Sequence, residues 1–150
     1  MTALLSFGRL FAPGLVALLA LAFPAEDDSP HTKDSLATVQ KRLSEKKAVL
    51  IDVREKAEWE EGHLAQARLL PLSELGKKLR EPEYVAGLKK SLPAGKPIYL
   101  HCKAGGRCVL AAEALRKELG PGYDLRPLKP GYEELVEAGF KKAEAEPASE

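Results

Sequence analysis

The sequence predicts an α/β domain with a mostly parallel sheet, and three observations carry that prediction. Apolar runs of strand length alternate with stretches of helical spacing from residue 34 to residue 140, the pattern of strand, crossover helix and strand that builds a parallel sheet. Gly62 and the Gly120-Pro121-Gly122 triplet fall between these runs and stop helices before the next strand begins. Cys102 and the cationic loop after it directly follow the run Pro97–His101, and sheets of this kind place ligands at the carboxyl ends of their strands. With 150 residues the chain is one domain plus appendages.

The first appendage concerns targeting. Residues 10–25 carry no charge, Arg9 is the only charged side chain before Glu26, and Ala20-Leu21-Ala22 offers a small-x-small cleavage site. Residues 1–22 therefore read as a signal peptide, with cleavage as late as residue 25, which makes the protein exported, periplasmic or secreted. Pro13 and Gly14 interrupt this stretch, which falls short of the roughly 20 residues that span a bilayer, so no stable membrane insertion is expected after cleavage. Residues 23–33 read as a polar linker, 34–141 as the domain and 142–150 as a polar tail.

Within the domain, Asp34 or Ser35 caps a helix whose Leu36, Val39 and Leu43 recur at helical spacing. Residues 48–53 read as a buried strand, and a short acidic helix over 55–61 ends at Gly62. A second strand over 68–70 leads into helices over 72–79 and 84–88. Pro97–His101 is the third strand and 108–119 the longest helix. A last strand over 123–128 precedes a helix over 132–138.

The chain carries 23 Lys and Arg against 22 Asp and Glu, so nucleic acid finds no support in the overall charge and any preference for anions is local. That local site is Cys102, Lys103, Ala104, Gly105, Gly106 and Arg107. Gly105 and Gly106 let the backbone curl without Cβ clashes, so that N–H groups from Lys103 to Arg107 face the cysteine sulfur. The helix that follows adds its unpaired N–H groups and the positive end of its dipole. Such surroundings lower a cysteine pKa from about 8.5 to between about 3.5 and 7.5. Cys102 is therefore the candidate nucleophile. Lys103 and Arg107 offer cations to an anionic donor, although Arg107 is equally suited to bracing the loop against an acidic side chain.

Three separated motifs carry a resemblance. The segment Leu50-Ile51-Asp52-Val53-Arg54-Glu55 with Gly62-His63-Leu64 and Pro71-Leu72, then the loop after Cys102, then Leu128-Lys129-Pro130-Gly131-Tyr132 with Ala138-Gly139-Phe140, resembles the rhodanese-like domain family in order and spacing. The resemblance implies a single domain whose mostly parallel central sheet is flanked by helices on both faces. It implies a thiosulfate sulfurtransferase in which Cys102 carries a persulfide and Lys103, Ala104, Gly105, Gly106 and Arg107 hold the substrate. The partners it implies are a small anionic sulfur donor and a thiol, cyanide or protein acceptor, with no cofactor. The chain departs from the family pattern at Ala65-Gln66, where Pro-Gly is usual, at Pro130, where Gly is frequent, and at Leu135, where Trp is frequent.

Asp52 and Arg54 end the first strand at the same edge of the sheet as Cys102 and read as an ion-pair and hydrogen-bond set that anchors loops. His63 reads as a hydrogen-bonding core histidine, His101 as a packed one, and Trp59, the only tryptophan, as a core plug. Cys108 stands where family members often carry Ser or Thr. It is either a small buried stand-in for that residue or a resolving thiol that closes a disulfide with Cys102 in an oxidising compartment. A persulfide-carrying relay module and a dithiol redox protein accordingly stand as alternatives to the enzyme. Tyrosine-phosphatase-type loops hold one residue more between cysteine and arginine, so this cradle is small for a phosphoryl group. His101, Cys102 and Cys108 lack a fourth ligand and make no metal site, and no Gly-rich nucleotide motif is present.

Overall fold

The computed structural model describes residues 29–144. The signal peptide expected over 1–22, with its alternative end at 25, lies outside the described residues, as do most of the expected linker and residues 145–150 of the expected tail.

Four strands, β1 (Val49–Asp52), β2 (Ala67–Leu69), β3 (Pro97–His101) and β4 (Asp124–Pro127), form one all-parallel sheet in the order β2-β1-β3-β4. The helices between and around them are α1 (Leu36–Ser44), α2 (Lys56–Glu61), α3 (Leu72–Lys78), α4 (Pro82–Ser91), α5 (Gly106–Leu119) and α6 (Tyr132–Glu137). Successive strand residues face opposite sides. Ile51, Ile98 and Leu100 meet Leu75 of α3, Leu88 of α4 and Leu115 of α5, whereas Leu50 and Tyr99 meet Val39 and Leu43 of α1 and Leu135 of α6. Both faces are therefore covered, which is why the central strands are apolar throughout rather than alternating. Each fully buried leucine contributes about 1.5–3 kcal/mol.

Local chemistry decides where several elements start. Ser35 caps α1, its hydroxyl accepting from the Thr38 N–H at 3.2 Å. Asp34, the other candidate cap, instead accepts from the Tyr99 hydroxyl at 2.6 Å and from Arg42 at 2.7 Å. The helix expected over 84–88 runs from Pro82 to Ser91, because Pro82 presets the first-turn φ and has no N–H to leave unpaired. Helix α5 starts at Gly106 rather than at residue 108, because Gly105 takes the left-handed conformation at its N-cap, φ 81°. Trp59 is a correction. It is half-buried on α2, a helix with no buried residue, and its ring stacks on His63 with centroids 3.6 Å apart. His63 is correspondingly half-buried rather than a core residue, and its Nδ1 meets Trp59 O at 3.1 Å.

The register that pairs Asp52 with His101 brings the ends of β1 and β3 level, and Cys102 begins the loop there. This loop packs backbone against backbone on the turn between β4 and α6. The Tyr132 N–H donates to Cys102 O at 2.9 Å. A Cβ on Gly131 would overlap the Lys103 carbonyl, and one on Gly105 would overlap the Lys129 carbonyl. Gly106 is different: a Cβ there meets nothing within 4 Å. At the far end of the domain Lys142 pairs with Leu64 in an antiparallel bridge and the Ala143 N–H donates to His63 O at 2.8 Å, so the chain stays on the body past residue 141.

These contacts separate two glycines that look alike in sequence. Gly131→Ala is expected to push the loop off the turn and destabilise the protein by about 1–3 kcal/mol or more, whereas Gly106→Ala stays within about 0.5 kcal/mol of the parent. Urea unfolding of both variants checks this; equal stabilities would contradict it.

Candidate active site

Cys102 leaves β3 with its side chain almost wholly shielded, at 1% relative exposure. The Gly105 N–H donates to its sulfur at 3.1 Å. The neighbouring Cys108 thiol is the largest influence on that sulfur, and the N–H groups of Cys108, Ala104 and Gly105 act in the same direction against the opposing effect of burial. The pKa of Cys102 is thereby lowered from 9.0 to about 5. Hydrogen bonds to the charged form favour that form.

Cys108 has the complementary character. It is fully buried, and its sulfur lies 2.9 Å from Gly105 O and 3.2 Å from Leu128 O, carbonyls that accept its proton. The neighbouring Cys102 thiolate and burial push its pKa far up. Two adjacent buried thiols do not both ionise, and the backbone donors assign the charge to Cys102. Both cysteines are free thiols. With its proton held, Cys108 is a weak attacking group for disulfide exchange, which needs a thiolate, and a good hydrogen-bond donor.

Arg107 reaches α2. Its two terminal nitrogens donate to the two oxygens of Glu58 at 2.6 and 2.7 Å, a forked pair that braces the start of α5 against α2. Glu58 also accepts from the Glu55 N–H at 3.0 Å, so one carboxylate closes its own helix start and holds the loop. The Arg107 hydrogen bonds lead in holding the Glu58 pKa down at about 2. Lys103 is exposed and lines a cleft of about 240 Å³ together with Arg54, Glu58, Gly62, Tyr132 and Lys142.

Beneath the cleft, Asp52 and Arg54 form a buried ion pair. Arg54 Nε lies 3.0 and 2.9 Å from the two Asp52 oxygens, and Arg54 also donates to Gly62 O at 2.8 Å. Its guanidinium lies 4.0 Å from the centre of the Tyr132 ring. One side chain thus ties the end of β1 to the end of α2 and the start of α6, with a cation–π contact added. His101 is fully buried 3.6 Å from Asp52, and desolvation leads in lowering its pKa, which keeps the ring neutral. Burial outweighs the nearby carboxylate there because Arg54 already neutralises it.

Residues 35–138 match the Rhodanese-like domain family over most of the described chain. The chain belongs to the rhodanese-like domain family. Among relatives, the Bacillus subtilis (strain 168) uncharacterized protein YqhL is 41% identical over 76 residues, covering 51% of this chain and 52% of its own. The HTH-type transcriptional regulator Rv0324 of Mycobacterium tuberculosis is 30% identical over 147 residues, 93% of this chain and 59% of its own. The chain therefore spans only 52% and 59% of the lengths of these curated relatives. Among solved structures, the human single-domain sulfurtransferase TSTD1 superposes with a TM-score of 0.54 at 27% identity, covering 73% of this chain and 96% of that one. A rhodanese-related protein from Thermoplasma volcanium gives 0.51 at 26% identity, covering 72% and 93%. A rhodanese-like domain from Anabaena gives 0.56 at 19% identity over 81% and 84%, and shares the fold.

In this rhodanese-like domain the sequence singled out the loop, but not the groups that hold it. Glu58, Gly131, Tyr132 and His31 all touch the loop or its supports. Glu58 carries a weak signal, an acid three residues after the helix-opening Glu55. Gly131 and Tyr132 lie in a quoted motif, and His31 carries no signal.

The depressed Glu58 pKa has a signed consequence. Its contribution to stability is fully present above its ordinary 4.5 and is lost as the pH falls through about 2. Glu58→Gln is therefore expected to be less stable than the parent at neutral pH, with the difference closing below pH 4.5. Denaturant titrations of both proteins across this range test it; a difference that is constant with pH would contradict the charge pairing.

Proposed function

We propose that this domain is a sulfurtransferase that moves sulfane sulfur from a small anionic donor such as thiosulfate to a thiol or cyanide acceptor through a persulfide on Cys102. The observation that carries the reading is the sulfur of Cys102, which lies at a strand end with a pKa of about 5 and accepts the Gly105 N–H at 3.1 Å. The human sulfurtransferase TSTD1, which shares the fold over 73% of this chain, adds support.

In the first half-reaction the Cys102 thiolate attacks the outer sulfur of thiosulfate. A new S–S bond forms on Cys102, the sulfur–sulfur bond of thiosulfate breaks, and its electron pair leaves on sulfite. The persulfide that remains is an anion at neutral pH, and the loop's inward N–H groups suit its terminal sulfur as they suit the thiolate. In the second half-reaction an acceptor thiolate or cyanide attacks that terminal sulfur, and the electron pair returns to Cys102. Exposed Lys103, at the rim, is placed to attract the doubly charged donor. Arg107 serves through the loop it braces, since both its terminal nitrogens are committed to Glu58.

Intact-mass analysis tests the reading. Thiosulfate is expected to add one sulfur, about 32 Da, to the reduced protein and none to Cys102→Ser, because only the thiolate attacks. Cyanide should then remove the added mass and yield thiocyanate. A Cys102→Ser protein that still gains sulfur and turns over would overturn the assignment.

A further inference from the structure

Four cations converge on the edge of the sheet opposite Cys102. A cavity of about 540 Å³ opens there, lined by Lys46, Arg68, Lys90 and Lys96, with Leu43, Val49 and Leu92 among its apolar lining. Val49 begins β1 and Lys96 immediately precedes β3, so the cavity lies at the strand starts, whereas Cys102 follows a strand end. The four cations come from four places in the fold: the turn after α1, strand β2, the last turn of α4 and the loop before β3. A volume of this size lies within the roughly 300–1,000 Å³ usual for small-molecule sites.

Among the described residues no Asp or Glu lines this cavity, and none of the four cations belongs to an ion pair. Glu45, beside Lys46 in the chain, is paired with Lys47 at 2.7 Å. Arg68 donates to Ser91 O at 3.1 Å and Lys96 Nζ to Lys46 O at 3.2 Å. These bonds hold two of the side chains in place, but a carbonyl carries no net charge. The C-terminal ends of α1 and α4 also lie here, and their two dipoles together offset about one positive charge, which leaves roughly three unanswered. Such a surplus is local, because the chain as a whole sets 23 cations against 22 carboxylates.

Lys46 adds a second observation. Helix α1 ends in a turn in which the Lys46 N–H donates to Leu43 O at 3.1 Å and the Lys47 N–H to Arg42 O at 2.8 Å, and Lys46 takes the left-handed φ of 56°. Glycine is the usual residue at that position of such a turn, because a Cβ is disfavoured there. Among the described residues Lys46 is the sole non-glycine with a positive φ. A lysine kept in a conformation that costs free energy marks a place where its side chain is used.

We propose that this cavity binds an organic phosphate, with the phosphate or diphosphate group on the four cations and the attached organic body on the apolar lining. Arg68 presents the planar fork that matches phosphate oxygens, and the surplus of charge suits a dianion or trianion better than a single carboxylate. An inorganic anion would leave Leu43, Val49 and Leu92 unused. A free nucleotide and a phospholipid headgroup share this chemistry. The site lies away from Cys102 and does not depend on the persulfide reading.

Calorimetric titration of the full chain with ADP and, separately, with soluble dihexanoyl phosphatidic acid tests the inference and tells the two sources apart. Saturable binding of at least one is expected, and the double variant Arg68→Ala/Lys90→Ala should weaken it by at least about tenfold. Lys56→Ala removes an exposed cation from α2, which follows the end of β1, and should change binding by less than about twofold. Lys46→Gly removes a charge and relieves the strained φ, so binding should weaken by about threefold while the thermal midpoint holds or rises. Sulfur uptake by Cys102 should be the same in all of these proteins, which keeps a failure here distinct from a failure of the sulfurtransferase reading. No saturable binding of either compound overturns the inference. So does a loss in Lys56→Ala as large as in the double variant, since the attraction would then belong to the whole surface. A Lys46→Gly protein that melts lower and binds as the parent does would likewise contradict it.

Discussion

A negative charge on a sulfur that is almost completely shielded from water is the constraint on which the rest of this structure depends. Burial alone drives a thiol towards its neutral form. Here it is overcome at short range, by the neighbouring Cys108 thiol first and then by the amide donors of Cys108, Ala104 and Gly105. Donors of this kind work only if they are held still, because an amide that swings away leaves the charge uncompensated. The architecture around the loop supplies that rigidity.

Three independent attachments do so. The β4–α6 turn presses on the loop where Gly131 and Gly105 leave no room for a Cβ. Helix α2 grips the start of α5 through the forked Glu58–Arg107 pair. The segment ahead of α1 reaches Gly105 O through His31. Under all three lies the Asp52–Arg54 pair, fully paired within hydrogen-bond distance and further tied to Gly62 O and the Tyr132 ring, so that a buried charge is compensated rather than orphaned. A buried arginine stripped of its carboxylate would be costly, and the strand ends that carry Cys102 would lose their common anchor. The second cysteine fits the same logic. A thiol at position 108 donates as a hydroxyl would, and its raised pKa keeps the proton on it while its neighbour is charged.

The fold was legible from the sequence because its signals are local: apolar runs for β1 and β3, helical spacing in α1 and α5, and glycine stops at Gly62 and Gly120. The reactive loop was legible for the same reason, since cysteine, glycines and helix start are contiguous. What holds the loop was not. Glu58 and Arg107 are 49 residues apart, and His31 and Gly105 are 74 apart, so nothing in either neighbourhood announces the other. Trp59 misled because a lone tryptophan suggests a core, whereas α2 lies on the surface and its aromatic face is covered by His63. That the Cys108 thiol donates to Gly105 O and Leu128 O depends on distances that spacing alone does not give.

The rate of sulfur uptake from thiosulfate in a single turnover, followed against pH, tests the central claim most directly. If the loop holds Cys102 as a thiolate, the rate rises to a plateau with a midpoint near the Cys102 pKa of about 5 and is flat through neutral pH. A rate that keeps climbing through neutral pH with a midpoint near 9.0, the ordinary value for a cysteine, would contradict the account.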